Sequence, residues 1–394
     1  MSTPAADRNV GQSRPVAAAG PSQGANASPL GGSAAAEWAN EAASVGAVDR
    51  VGEPRATSLS PNQRAWARFK RNRLGYVSLL VFAVMMIVGT FAELFSNDRP
   101  LVARYNGEWF FPIFNNQPEA RFGGDFVTPT EWGDPFINEQ FAKPGNFALY
   151  TFNPWGAGAL DYYARAADPS APSRGHWLGT DQSGRDMTAR LLYGFRVSIY
   201  FSLALTFVAT VLGILVGALQ GYFGGRVDLT TQRVIEIWNA IPELYLLIII
   251  ASILTPSMPL LVGIFALFGW IALSDYVRAE FLRNRNLEFV KAARAMGLSN
   301  GQIIWRHVLP NSMTPVITFL PFRMSAAILG LTSLDFLGLG VTGMPSLGDL
   351  LRQGKENLDA WWISLPTFFV LVLTLLLLTF IGDALRDAFD TRKS

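Results

Sequence analysis

EFVKAARAMGLSNGQIIWRHVLPN, running from Glu288 to Asn311, decides how this chain is read. With Glu288, Lys291, Arg294 and Arg306 it is too polar to sit in lipid, yet apolar segments that do belong there lie on both sides. Glu288 through Met296 puts Phe289, Ala292, Ala293 and Met296 at helical spacing, which gathers small and apolar side chains on one face. Gly297 fits a helix C-cap, since glycine adopts positive φ without strain. Ser299 followed by Gln302 has the form of a capping box, so a second helix should start there and run through Ile303, Ile304 and Val308. Pro310 is expected to end it and to begin the approach to the next span. An ordered helix-turn-helix on one face of a bilayer offers a surface to dock onto. The short side chains of Ala292 and Ala293 would let another backbone come close.

Composition agrees with a membrane setting. Of 394 residues half are hydrophobic and 16% charged, and the apolar excess falls into blocks of membrane-spanning length. A formal net charge of +2 gives no electrostatic case for nucleic acid. The absence of cysteine excludes disulfides, iron–sulfur clusters and thiolate zinc sites, and only His176 and His307 could supply imidazole.

Residues 1–62, rich in Ala, Gly, Ser and Pro with no periodic apolar face, read as a disordered cytoplasmic tail. They do not read as a signal peptide, because no apolar core follows a charged start. Residues 63–97 form an amphipathic basic entry, with Arg64, Trp66, Arg68, Phe69, Lys70, Arg71 and Arg73, leading into a first span from Leu74 to Phe95. Further apolar runs cover Val197 to Tyr222, Ile237 to Leu254, Met258 to Leu273, Met313 to Leu334 and Trp362 to Ile381, each near the ~20 residues a helix needs to cross the bilayer. Six spans return both termini to one side. The basic loop at about 278–311 and the terminal Arg386, Arg392 and Lys393 make that side cytoplasmic. Residues 98–176, between the first two spans, are long, punctuated by Gly and Pro, and carry Trp109, Phe110, Phe111, Trp132 and Trp155. They predict a small folded cap whose aromatics mostly form its own core, with a surface for a substrate-delivering partner as the alternative.

The stretch around Ala292, Ala293, Gly297 and Leu309–Pro310 resembles the coupling loop of an ABC importer permease, whose motif is EAA, three residues, G, and later LP. HWLGTDQSGRDMTARLLYGFRVSI, from His176, and LTSLDFLGLGVTGMPSLGDLL, from Leu331, resemble segments of the C-type permeases of dipeptide and oligopeptide importers. YNGEWFFP from Tyr105 and FGGDF from Phe122 look most similar to the Yej branch, whose members import oligopeptides and peptide antibiotics of the microcin C type. The resemblance implies an all-α polytopic protein of the bacterial inner membrane. It would have six transmembrane helices of the type I ABC importer permease fold, a small extracytoplasmic insert between helices 1 and 2, and residues 177–394 as the permease domain. It also implies a second homologous permease, ABC ATPase subunits that bind ATP and Mg, and a periplasmic peptide-binding protein. Glu288, Lys291, Ala292, Ala293, Gly297, Ile304, Leu309 and Pro310 would then couple ATP-driven closure to alternating access. Related permeases also serve nickel chelates and other small solutes, so substrate chemistry stays open.

The chain itself has no P-loop: Gly354 and Lys355 are followed by Glu356, and Asp349 stands where the first glycine belongs. A cofactor-free, non-catalytic subunit is therefore expected. The glutamate that names the coupling motif is Lys291 here, and Glu288, three residues earlier, can pair with it on a helix. Arg323 lies inside the fifth span, where facing lipid would cost at least ~2.5 kcal/mol. It either lines the translocation pathway or is held by Asp335, Glu243 or a helix end. Glu243, Asp275 and Asp383 read as caps at span ends. No span carries a chain of acids, which disfavours a secondary transporter or channel, and a membrane hydrolase lacks a nucleophile or metal constellation.

Overall fold

The structure, a computed structural model, describes residues 60–162 and 167–390, so nearly all of the expected tail, and Arg392 and Lys393, lie outside the described residues. Helix α1, Pro61–Arg71, opens with Ser60 and Gln63 bonding each other's backbone amides in a capping box. Its Phe69 is buried against Ala384 and Ala388 near the other end of the described chain, and its Arg68 donates to the carbonyl of Asp390.

Among the described residues four helices are long and apolar enough to cross a membrane: α2 (Arg73–Thr90), α4 (Met187–Phe223), α11 (Met313–Phe336) and α13 (Trp361–Phe389). Two bent pairs raise the number to as many as six where each pair counts as one span. One joins α5 (Gly225–Asn239) to α6 (Glu243–Ile253) at 65°, the other α7 (Met258–Gly269) to α8 (Ile271–Asn284) at 42°. The expected span from Ile237 to Leu254 is thus broken. Pro242 lacks an amide hydrogen, disfavours helix at the residue before it, and sits extended as the N-cap of α6. The fourth segment differs as well. Its apolar run fades near Leu273, but the helix continues as α8, so Asp275 lies near its start rather than at its end. Hydropathy marks where lipid ends, whereas a helix persists wherever its backbone bonds and packing persist.

Helix α4, 37 residues long and therefore roughly 55 Å at 1.5 Å per residue, is the central element. Gly213, Gly217 and Gly221 form a stripe along it that receives α8 backbone. A Cβ on Gly213 would stand 2.9 Å from the Trp270 carbonyl oxygen, on Gly217 2.5 Å from that of Ser274, and on Gly221 2.6 Å from that of Arg278. Small residues one turn apart permit this close approach. Helix α2 lies against α13 and leaves Leu74, Val77, Val81, Val84 and Ile87 exposed, as befits a lipid-facing surface.

Between α2 and α4 a three-stranded antiparallel sheet, in the order β2 (Glu108–Phe110), β1 (Val102–Tyr105), β3 (Phe147–Leu149), packs with α3 (Pro135–Ala142). Ala103, Phe122, Trp132, Ile137 and Phe141 form its core. The aromatics divide. Trp132 is buried and Phe110 half-buried, while Trp109 and Phe111 are exposed. Trp155 stacks on His176 with ring centroids 4.5 Å apart. His176 in turn bonds Asp186 through Nδ1 at 2.9 Å, and Asp186 accepts from the amide of Ala189 at the start of α4 and from Asn153 Nδ2. The inserted domain is therefore fastened to the head of α4 by a buried polar cluster.

Candidate functional site

The polar segment from Glu288 folds as two short helices, α9 (Glu288–Ala295) and α10 (Asn300–Ile303), at the tail of α4. Gly297 has φ 81° with open space around its Cα, so conformation rather than crowding selects glycine there. The amide of Gly297 bonds the Arg294 carbonyl and that of Leu298 bonds the Ala293 carbonyl, a Schellman ending for α9. Ser299 and Gln302 exchange the bonds of a capping box and start α10. A widened π turn then spans Ile304–Val308 and runs into Leu309–Asn311. Pro310 therefore does not end the segment at once. Its missing amide and its ring against the carbonyl of Arg306 are accommodated by the wide turn, and the break comes at Ser312.

The hairpin has two unlike faces. Inward, Val290, Ala293, Ile303 and Val308 are buried with Ala218 and Tyr222 of α4, Val277 and Phe281 of α8, and Val316 of α11. Ile304 and Leu309 pack partly against the same cluster. Outward, Phe289, Ala292, Met296 and Trp305 are exposed, Met296 at 72% and Trp305 at 60%. The expected single face of Phe289, Ala292, Ala293 and Met296 is thus divided: Ala293 points into this chain's own core, and the close approach its small side chain permits is intramolecular. Glu288 and Lys291 pair at 2.9 Å on the exposed side.

Polar ties hold the hairpin in register. Tyr222 Oη donates to Asn300 Oδ1 at 2.8 Å, Arg285 Nη1 donates to the Tyr222 carbonyl at 3.2 Å, and Asn284 Nδ2 donates to Ser312 Oγ at 2.9 Å. Arg278 and Asp228 form a bidentate pair that joins α8 to α5. Farther up α11, Arg323 donates to the carbonyl of Gly269 at the bend between α7 and α8, and not to Asp335 or Glu243. Helix ends leave carbonyls available for such bonds. The hairpin is therefore bonded to the tails of α4 and α8 and to the approach to α11 at once.

A family described as "Binding-protein-dependent transport system inner membrane component" matches residues 185–394, more than half of the chain and the whole hairpin. The chain belongs to this family. A second match, "N-terminal TM domain of oligopeptide transport permease C", covers residues 60–118. The permease is 47% identical to "Inner membrane ABC transporter permease protein YejE" of Escherichia coli (strain K12), over 85% of this chain and 99% of that protein. It is 44% identical to "Peptidoglycan transport system permease protein YejE" of Agrobacterium fabrum, over 87% and 96%. With a "Dipeptide transport system permease protein DppC" of Alkalihalophilus pseudofirmus the identity is 36%, over 86% and 93%. Among solved structures, an inward-facing MetNI methionine ABC transporter chain aligns with a TM-score of 0.42 at 16% identity, covering 52% of this chain and 98% of that one.

This permease is thus a multi-pass inner-membrane protein of an ABC transporter family. Its second polar concentration, at the head of α4, is one that sequence reasoning did not assign to a role. Arg190, 1% exposed, donates to Asp349 of α12 (Leu347–Glu356) at 3.1 Å and lies 3.5 Å from Asp181. Arg352 donates to the other oxygen of Asp349 at 2.7 Å. The residues involved sit within or beside the two segments from His176 and Leu331 that carry the family resemblance. Their pairing across 159 residues has no local signal. The glycine stripe on α4 did have one, its four-residue spacing.

Proposed function

We propose that this chain is one of two permease subunits of an ATP-driven importer that carries peptides from the periplasm to the cytoplasm. The relatives' names, which speak of dipeptide, oligopeptide and peptidoglycan transport, support a peptide-like cargo. The observation that carries the coupling role is the divided hairpin: apolar Phe289, Met296 and Trp305 stand exposed on a unit whose other face is fixed to α4, α8 and α11. An exposed apolar patch ringed by polar groups is what a partner covers. The partner would be the ABC ATPase, which binds ATP and Mg, and its closure would push the hairpin and rock the attached helices between inward and outward openings. The two bent pairs supply places where the bundle can flex.

Orientation follows from charge. Arg283, Arg285, Lys291, Arg294 and Arg306 cluster at the hairpin end, so under the positive-inside rule that end and both termini would lie in the cytoplasm and the insert in the periplasm. The insert would then face a periplasmic peptide-binding protein or the second permease. Residues 1–62 would be a tail, 63–97 the entry and first span, 98–176 the insert and 177–394 the permease domain. Arg323, held on the Gly269 carbonyl, would either brace the bend between α7 and α8 or line the pathway: Arg323→Gln should slow transport with assembly intact if it lines the pathway, and loss of assembly would mean that it is a brace.

The test is co-purification of the tagged chain from native membranes in mild detergent. Recovery of a second permease and an ATPase, with the ATPase lost from Met296→Asp and Phe289→Asp, supports the reading. Recovery of this chain alone, under conditions that keep another ABC complex intact, overturns it.

A further inference from the structure

A cavity of about 550 Å³ lies at the head of α4, between Arg190, the segment 338–344 and α12. That is within the ~300–1,000 Å³ typical of small-molecule sites. Three of its lining residues carry buried polar atoms without a hydrogen-bond partner: Arg190 at Nη1, Arg352 at Nε and Asp335 at Oδ2. Arg190 is 1% exposed and Asp335 5%. Neither arginine swings freely. Arg190 Nη2 and Arg352 Nη2 are both anchored on Asp349, and Arg352 Nη1 donates to Glu356 at 2.9 Å. Two guanidinium groups thus share one carboxylate and keep N–H donors in reserve. Asp335, by contrast, is an acceptor in reserve, held at the end of α11 next to Gly340, where any Cβ would collide with its carboxylate.

Buried donors and acceptors left unpaired cost free energy, and a cavity that gathers both kinds is suited to a ligand bearing both charges. We propose that this cavity is a subsite for a short zwitterionic peptide, with its terminal carboxylate on Arg190 and Arg352 and its terminal ammonium on Asp335. Arginine suits the first role because its planar fork fits a carboxylate. The subsite rests on the peptide-import reading for its physiological meaning, since it stands at the end of α4 opposite the ATPase-facing hairpin. There it would receive cargo before the pathway opens inward.

The experiment uses the full chain in lipid nanodiscs with radiolabelled dialanine as the probe, and N-acetyl-dialanine and dialanine amide as competitors. Each blocked form should compete about tenfold to a hundredfold more weakly than dialanine, the range expected for loss of a charge-assisted hydrogen bond. Asp335→Asn, nearly isosteric, should erase the discrimination against the N-acetyl form and keep that against the amide. Arg352→Gln should do the reverse, and serves where Arg190→Gln fails to fold. Equal competition by all three forms, or no saturable binding, overturns the subsite. Uptake in cells separates the two claims. If chain-dependent peptide uptake persists while all forms bind equally, only the subsite falls. If the chain binds dialanine with end discrimination but no peptide uptake depends on it, the import reading falls and the subsite stands.

Discussion

The two ends of α4 are built on opposite plans. At its head, charge is buried and cross-linked: Asp186 caps the helix and holds His176, while Arg190 reaches Asp181 and Asp349. At its tail the buried contacts are mostly apolar, and the charges, Lys291 and Glu288 among them, are in solvent beside uncovered Phe289, Met296 and Trp305. A buried ion network loses much of its value if one partner leaves, so the head is a rigid junction. A hairpin seated on Ala218, Tyr222, Val277, Phe281 and Val316 buries one apolar face and still leaves another for a second protein. The difference separates an end whose charges are locked to distant segments from an end that leaves an apolar face free.

Breaking the link between the ends should have the largest effect. Gly217→Leu places a side chain where α8 backbone already stands, and overpacking of this kind costs about 1–3 kcal/mol or more. The variant should fail to give a monodisperse peak in detergent by fluorescence-detected size exclusion. Next comes the contrast within the hairpin. Ala293→Leu should destabilise by about 1–3 kcal/mol, since it enlarges a buried position. Ala292→Leu, one residue earlier and exposed, should change stability by less than about 0.5 kcal/mol yet reduce ATPase recovery and uptake. If the two variants behave alike, the two-faced hairpin is wrong.

The head should also respond to pH. The hydrogen bond that His176 donates to Asp186 raises the His176 pKa above its ordinary 6.5, with burial opposing and Asp161 assisting. Its contribution to stability is therefore complete below pH 6.5 and is lost as pH rises through the elevated value. The melting temperature of the wild type should fall across that window, and His176→Gln should flatten the profile. A wild-type profile already flat there would remove His176 from the junction's energetics. Smallest of all is the tail's exposed pair: Lys291→Ala should cost no more than about 0.2–0.5 kcal/mol. A larger loss in thermal melts would mean that the charge at this motif position is structural after all.

Local chemistry made much of the hairpin legible in advance. Gly297, Ser299 and Gln302 each act on their own few residues of backbone, so the end of one helix and the start of the next could be read without any fold. The membrane spans were legible for a similar reason, since a helix in lipid must be apolar along its length. What failed were boundaries set by competition with neighbours. Pro242 interrupts a run that hydropathy averages over, and α8 outlasts its apolar stretch because Phe281 and Val277 pack inside. Period alone put Ala292 and Ala293 together, but adjacent helical residues lie about 100° apart and the burial surface fell between them.

By itself, then, the sequence determined the class of protein, the family, the unbroken spans and the capped hairpin, because each depends on composition or on residues a few positions apart. Only the tertiary structure decided which face of the hairpin is free, that Arg323 is tied to the carbonyl of Gly269, and that Arg190, Asp335 and Arg352 surround one cavity. Those facts depend on which distant segments meet. Residues 181–190 and 335–352 approach one another only because α4, α11 and α12 pack side by side, a proximity with no trace in either segment alone.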